Sequence, residues 1–303
     1  MSLLITGGNG QVGFELQRQL CLLGEVHAPT RGELDLADEN AVQGWLERHQ
    51  PTLIVNAAAY TSVDKAENEP ELARRLNAEL PAQLASYAAE QSIPLVHYSS
   101  DYVYPGDGEQ AWDESSPVGP LSVYGTSKLA GDEAIIASGC EHLIFRTSWV
   151  YSARGNNFMK TMLRLGGERD SLSVVSDQIG APTPARLIAQ VTMLALTIHD
   201  SPLTTHRSPF TIHIPSGVYH LAPRGETSWH GFACEIFKQA KDAGEKLAIT
   251  PENVAAISTV EYPTPAQRPL NSRLLLDKLE QALGLELPRW QEQLALTLAE
   301  YFD

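Results

Sequence analysis

Ser2-Leu3-Leu4-Ile5-Thr6-Gly7-Gly8-Asn9-Gly10-Gln11-Val12-Gly13 is an apolar run that passes directly into a glycine-rich turn. Residues 3–6 have the length and flanks of a buried strand. Beyond the turn, Val12, Leu16 and Leu20 recur every four residues with Glu15, Arg18 and Gln19 falling elsewhere, the period of an amphipathic helix over 11–22. A strand, glycines at 7, 10 and 13 and then a helix is an arrangement that holds a dinucleotide pyrophosphate. Gly7 permits the tight turn, Gly10 lets backbone approach the phosphates, Gly13 lets helix pack on strand, and the helix start offers free N–H groups at its positive end.

Working outward, further apolar runs at 25–28, 53–56, 95–99 and 143–147 are separated by amphipathic stretches, and Asp38 has the chemistry of an N-cap for the helix after the second run. This alternation predicts an α/β fold: a Rossmann-like, doubly wound parallel sheet with helices on both faces and a smaller C-terminal domain. Beyond about Tyr151 the pattern loosens, and prolines from Pro182 to Pro269 cut the chain into shorter pieces. The expected organisation is a dinucleotide-binding domain over 1–150, rejoined by about 184–200, with a mainly substrate-binding domain over 151–303. Residues 202–215 read as an inserted hairpin or loop, Ser228 caps a helix over 229–238, and 290–302 close the chain as an amphipathic helix.

A chain of 303 residues with 43% hydrophobic and 19% charged residues can bury a large core. The net charge of −15, with no local run of Lys or Arg, argues against a nucleic-acid partner. The apolar start is short and lacks a basic flank, so neither a secretory signal nor a membrane span is expected. Cys21, Cys140 and Cys234 are odd in number, far apart and not at zinc-ligand spacing, which suits a reducing cytoplasm.

The chemistry gathers at three further places. After the second run, Ala28-Pro29-Thr30-Arg31 has no acid to receive an adenosine ribose, whereas Arg31 can pair with a 2′-phosphate; the expected cofactor is NADPH, with NADH the alternative. Tyr124 and Lys128 stand four residues apart, on one face if the segment is helical. A phenol with a pKa near 10 needs a neighbouring cation to serve as acid and base at neutral pH, and Lys128 is expected to supply it. Ser100, at the end of the fourth run, can hydrogen-bond a substrate carbonyl together with Tyr124. Arg268 is the candidate partner for an anionic substrate group.

Gly7/Gly10/Gly13, Asn56-Ala57-Ala58-Ala59, Ser99-Ser100-Asp101 and Tyr124 with Lys128, in this order, resemble the extended short-chain dehydrogenase/reductases. Within that family the chain is most similar to reductases of dTDP-linked 4-keto-6-deoxy sugars. That likeness runs through Ala59-Tyr60-Thr61-x-Val63-Asp64-Lys65-Ala66-Glu67, Arg146-Thr147-Ser148-Trp149-Val150-Tyr151, Asp177-Gln178-x-Gly180-Ala181-Pro182-Thr183 and Arg268-Pro269-x-Asn271-Ser272. The resemblance implies that Gly10, Gln11 and Val12 meet the pyrophosphate, that Asp35 and Leu36 border the adenine, and that Ala59, Tyr60 and Thr61 line the cofactor channel with Tyr124 and Lys128. Ser100, Asp101 and Trp149 would meet the sugar. It also implies hydride reduction of a nucleotide-linked keto-sugar, with another such sugar, or a non-catalytic NADP-binding regulatory subunit, as the alternatives.

Three departures stand out. Ser100 replaces a frequent threonine, and Thr30 stands where relatives carry aspartate. Some relatives form homodimers around magnesium held by acidic residues; Glu15 corresponds to one of them, but Arg186 and Gln190 occupy the facing positions, so no metal site is expected.

Overall fold

The structure, a computed structural model, describes residues 2–198 and 210–303. Five strands, β1 (Ser2–Thr6), β2 (Glu25–His27), β3 (Leu53–Asn56), β4 (Leu95–Ser100) and β5 (His142–Thr147), match the apolar runs to within a residue. They pair in parallel, as strands buried on both faces do. A sixth strand, Gly217–His220, extends the sheet beside β5. The sequence reading did not include it: at four residues it has no period of its own, and β5 recruits it through pairing.

The sheet order from one edge is Gly217–His220, β5, β4, β3, β1, β2. The winding reverses between β1 and β3, and at such a switch point the carboxyl ends of the strands open a crevice. The strand period of two sends Leu3 and Ile5 to one face and Leu4 to the other. On the first face they meet Leu16 and Leu20 of α1 (Gln11–Leu20) and Leu187, Ile188 and Val191 of the helix Ala185–Ala195. On the second they meet Trp45 and Leu46 of α2 (Glu39–His49), Leu84 of Leu80–Gln91 and Ile135 of Val123–Ser138. Each fully buried Leu or Ile contributes about 1.5–3 kcal/mol, so both helix layers are held firmly to the sheet.

A third apolar cluster lies away from the sheet. It joins Met159 and Leu163 of Phe158–Glu168, Phe232, Ile236 and Phe237 of Trp229–Asp242, and Leu294 and Leu298 of Trp290–Phe302. The expected caps form: Asp38 accepts from the Ala41 N–H and Ser228 from the Gly231 N–H. Leu196–Ile198 pairs antiparallel with Phe210–Ile212, and Ile212 and Ile214 are buried in the first cluster. The remainder of the expected 202–215 insertion, up to residue 209, lies outside the described residues. Among those described, no helix is long and apolar enough to cross a membrane.

Candidate active site

At the switch point a cavity of about 880 Å³ is walled by the glycine turn on one side and the ends of β3, β4 and β5 on the other. Gly7 adopts φ +69°, and a Cβ there would lie 2.8 Å from the Ala57 carbonyl and the Ala58 nitrogen. The Gly10 N–H closes the turn onto the Gly7 carbonyl at 2.9 Å. A Cβ on Gly13 would overlap that same carbonyl, so its place is under the turn rather than in the cavity wall. Gly10 precedes α1 without a side-chain cap, which leaves the first-turn N–H groups, Gln11 and Val12 among them, without intrahelical partners.

Asp35, Leu36, Ala59, Tyr60 and Thr61 line the cavity, as does Arg31, whose guanidinium is highly exposed and 4.0 Å from Asp35. Thr30 is not in the wall. Its N–H and hydroxyl both donate to Glu33, at 2.8 and 2.9 Å.

The helix Val123–Ser138 begins where the Ser122 hydroxyl accepts from the Gly125 N–H and where Glu67 accepts from the Val123 N–H at 2.9 Å. Tyr124 and Lys128 thereby stand one turn apart, facing the cavity. Burial pushes the Tyr124 phenol above its ordinary pKa, and a hydrogen bond with Ser100 opposes the shift. The Lys128 Nζ lies 2.7 Å from the Tyr98 carbonyl and 3.2 Å from His97 Nε2. Burial lowers Lys128 to about 8, against the pull of Asp132.

Ser100 donates to Asp101 at 2.9 Å and accepts from the Tyr102 N–H. Burial raises Asp101 to about 6, with hydrogen bonds from Ser272 and Ser100 opposing. Trp149 takes φ +49°, a strained value for a bulky residue that surrounding contacts must enforce. Those contacts are visible: its ring stacks on that of Trp229 with centroids 3.8 Å apart, and a Cβ on Gly180 would sit 3.1 Å from an atom of the same indole. Arg268 is not brought to the wall. It binds Asp64 at 2.6 Å and hydrogen-bonds Tyr102, which itself lines the cavity.

Sequence reasoning missed several residues that build this site. Asn77, fully buried, accepts from the Tyr60 N–H at 2.8 Å and donates to the Tyr60 carbonyl at 3.1 Å and the Ser127 hydroxyl at 3.0 Å. It tethers the cofactor-channel residues to the Tyr124 helix from a π-helical turn, Arg75–Glu79, a feature that often marks functional sites. A Cβ on Gly131 would overlap the Asn77 carbonyl, so the glycine seven residues after Tyr124 is what allows the approach. Asn157 caps the helix Phe158–Glu168 and also donates to Gln11 Oε1 at 2.8 Å, tying the later part of the chain to the glycine turn. The Thr147 hydroxyl is buried in the cavity wall with no hydrogen-bond partner among the described residues.

Glu15, almost fully buried, has its pKa raised by burial and opposed by Arg18. Arg186 of the same chain is also within its field, so the cation expected opposite Glu15 already neighbours it inside one protomer. Among the described residues no three His, Cys, Asp or Glu side chains converge as metal ligands.

A glycine-cradled crevice at the switch point, with Ser100, Tyr124 and Lys128 on its wall, is the site of an extended short-chain dehydrogenase/reductase. The family model described as "RmlD substrate binding domain" matches residues 1–302, and the chain belongs to that family. A dTDP-4-dehydrorhamnose reductase of Shigella flexneri is 44% identical, the match covering 100% of this chain and 98% of that protein. The crystal structure of a dTDP-4-dehydrorhamnose reductase from Clostridium acetobutylicum superposes with TM-score 0.87 at 34% identity, covering 100% of both chains. A Bacillus anthracis dTDP-4-dehydrorhamnose reductase in complex with NADP gives 0.84 at 35% identity, covering 99% of each.

Proposed function

We propose that this chain reduces dTDP-4-dehydrorhamnose to dTDP-L-rhamnose with NADPH. The observation that carries the reading is the shared cavity: the glycine cradle and the Ser100, Tyr124 and Lys128 side chains open onto one space of about 880 Å³. The cradle fits a dinucleotide, because Gly7, Gly8 and Gly10 line the cavity without side chains and the uncapped start of α1 turns free N–H groups to it. The full-length relatedness to reductases of this name supports the substrate.

NADPH supplies the hydride when bound. The α1 N–H groups of Gln11 and Val12 would hold the pyrophosphate, Arg31 would pair with the 2′-phosphate, and Lys128 would hold the nicotinamide ribose. Tyr124, protonated at neutral pH because its burial disfavours the phenolate, gives its proton to the sugar oxygen as charge develops there. Ser100 steadies that oxygen, and Trp149 covers the sugar ring. In this reading residues 1–150 carry the cofactor and 151–303 mainly the sugar nucleotide. Cys21, Cys140 and Cys234 are all free thiols, which supports a cytoplasmic setting. A homodimer belongs to the same proposal and is measured by sedimentation.

The test is NADPH oxidation by purified protein supplied with the dTDP-4-keto-6-deoxy-L-sugar, beside the corresponding UDP- and GDP-linked keto-sugars. Turnover with the dTDP compound and not with the others is the expected result. Turnover confined to another nucleotide sugar would reassign the substrate, and NADPH binding without any turnover would make the chain a cofactor-binding regulatory subunit.

A further inference from the structure

From Lys128 in the cavity wall a line of buried polar side chains runs inward, and the reaction as described uses none of the others. The Thr6 hydroxyl donates to Asn56 Oδ1 at 2.6 Å, Asn56 Nδ2 lies 3.0 Å from His97 Nδ1, and His97 Nε2 lies 3.2 Å from Lys128 Nζ. All four residues are at most 1% exposed. Four polar groups withdrawn from water are costly unless each is matched, and matching them fixes where the protons sit.

Thr6 Oγ1 accepts from the Ala58 N–H, so its own hydrogen goes to Asn56 Oδ1. The Asn56 oxygen is thereby engaged, and its NH₂ is the group that faces His97. His97 Nδ1 must accept. Burial holds the imidazole neutral by lowering its pKa well below the ordinary value, and a neutral imidazole whose Nδ1 accepts carries its proton on Nε2. That proton points at Lys128. An N–H aimed at an ammonium sets donor against donor, whereas an N–H aimed at an amine lone pair is a hydrogen bond. The Tyr98 carbonyl, 2.7 Å from Nζ, takes an N–H of the lysine in either state.

We propose that His97 is a positioning residue for Lys128: oriented by Asn56 and Thr6, it presents an N–H donor that favours the free amine in the cofactor-free protein. Lys128 would then take up a proton from solvent once a bound ribose drew Nζ away from His97. This second step rests on the reading of Lys128 as the ribose-holding residue.

The other groups around Lys128 do not impose the opposite state. Asp132, on the same helix, raises Lys128 but is itself paired with Arg146 on β5 at 3.0 Å. Tyr124 interacts with Ser100, Asp101 and Tyr102. On the elements packed outside the helix, Arg75 is engaged by the Ala37 carbonyl and Gln83, Glu79 by Arg74, Tyr87 by the Leu46 carbonyl and Asp64 by Arg268. Burial already brings Lys128 to about 8, and the His97 donor pushes in the same direction.

The test is NMR on the cofactor-free protein, which needs no substrate. Nitrogen-15 spectra of labelled histidine are expected to show His97 protonated on Nε2 and bare on Nδ1. Carbon-13 spectra of labelled lysine, with the Lys128 signal among the seven identified by its loss in Lys128→Met, are expected to titrate below about 8. His97→Gln can turn an amide oxygen to the ammonium, and Asn56→Asp would claim the Nδ1 proton and leave Nε2 an acceptor; each is expected to raise the Lys128 midpoint by at least about one unit, worth about 1.4 kcal/mol. A proton on Nδ1 at neutral pH, a Lys128 midpoint near the ordinary lysine value, or no shift in folded His97→Gln would overturn the proposal. If these spectra agree but the dTDP-keto-sugar is not turned over, it is the functional reading that fails and not this one.

Discussion

Replacing Asn77 by Leu removes a hydrogen-bonding hub while keeping its volume. The side chain makes three hydrogen bonds of 2.8–3.1 Å, two to the Tyr60 backbone and one to Ser127. At about 1 kcal/mol each, with some further cost for groups left buried and unpaired, the loss is roughly 2–4 kcal/mol. For a chain of 303 residues that corresponds to a fall in Tm of about 3–6 °C, read by calorimetry. The same bonds hold Tyr60 and Thr61 in the cofactor-channel wall, so NADPH should bind about tenfold more weakly if only 1.4 kcal/mol of the loss is felt there. Fluorescence titration of NADPH measures this. A variant with native Tm and native NADPH affinity would refute the idea that Asn77 joins the wall to the Tyr124 helix.

Tyr124→Phe keeps the ring against Tyr102 and removes only the proton donor, so turnover should fall by roughly 10²–10⁴ with NADPH affinity intact; near-native turnover would place the donor elsewhere. Arg31→Ala should erase a lower Michaelis constant for NADPH than for NADH, and a native preference for NADH would contradict the assignment. Because the Asp101 pKa rises from 3.8 to about 6 on folding, the ionised carboxylate weakens the fold above about pH 6, by roughly 3 kcal/mol at most, and the penalty disappears as pH falls toward 3.8. Asp101→Asn should therefore melt above the native protein at neutral pH, with the gap closing in acid; parallel pH profiles would show that the carboxyl is not so strained. With Arg186 in the field of Glu15, chelator should leave both activity and sedimentation unchanged, and dissociation reversed by magnesium would show a metal-held interface.

The parts of this fold that were legible are those whose signal is local. Buried parallel strands are apolar runs, and the glycine turn, the Tyr124/Lys128 spacing and the Ser228 cap each lie within a few residues. What escaped depends on contacts made across the chain. Asn77 meets Tyr60 17 residues away and Ser127 50 away, and in sequence it is one asparagine in an amphipathic stretch. Trp229 stacks on Trp149 from 80 residues away, and Gly180 leaves room beside the same ring. Spacing put Lys128 and Tyr124 on a shared helix face, but it could not show that His97 and the Tyr98 carbonyl meet the Lys128 Nζ. Arg268 looked free for an anion because nothing near it in sequence announces Asp64.

The central claim is hydride delivery to carbon 4 of the dTDP-linked keto-sugar, and stereospecifically deuterated NADPH tests it most directly. With the dTDP-4-keto-6-deoxy-L-sugar as substrate, the account predicts that one of the two C4-deuterated forms transfers its label, and that the product is dTDP-L-rhamnose carrying deuterium on carbon 4 of the sugar. Label recovered at any other carbon, or full retention of deuterium in the cofactor under conditions where the sugar is consumed, would contradict it.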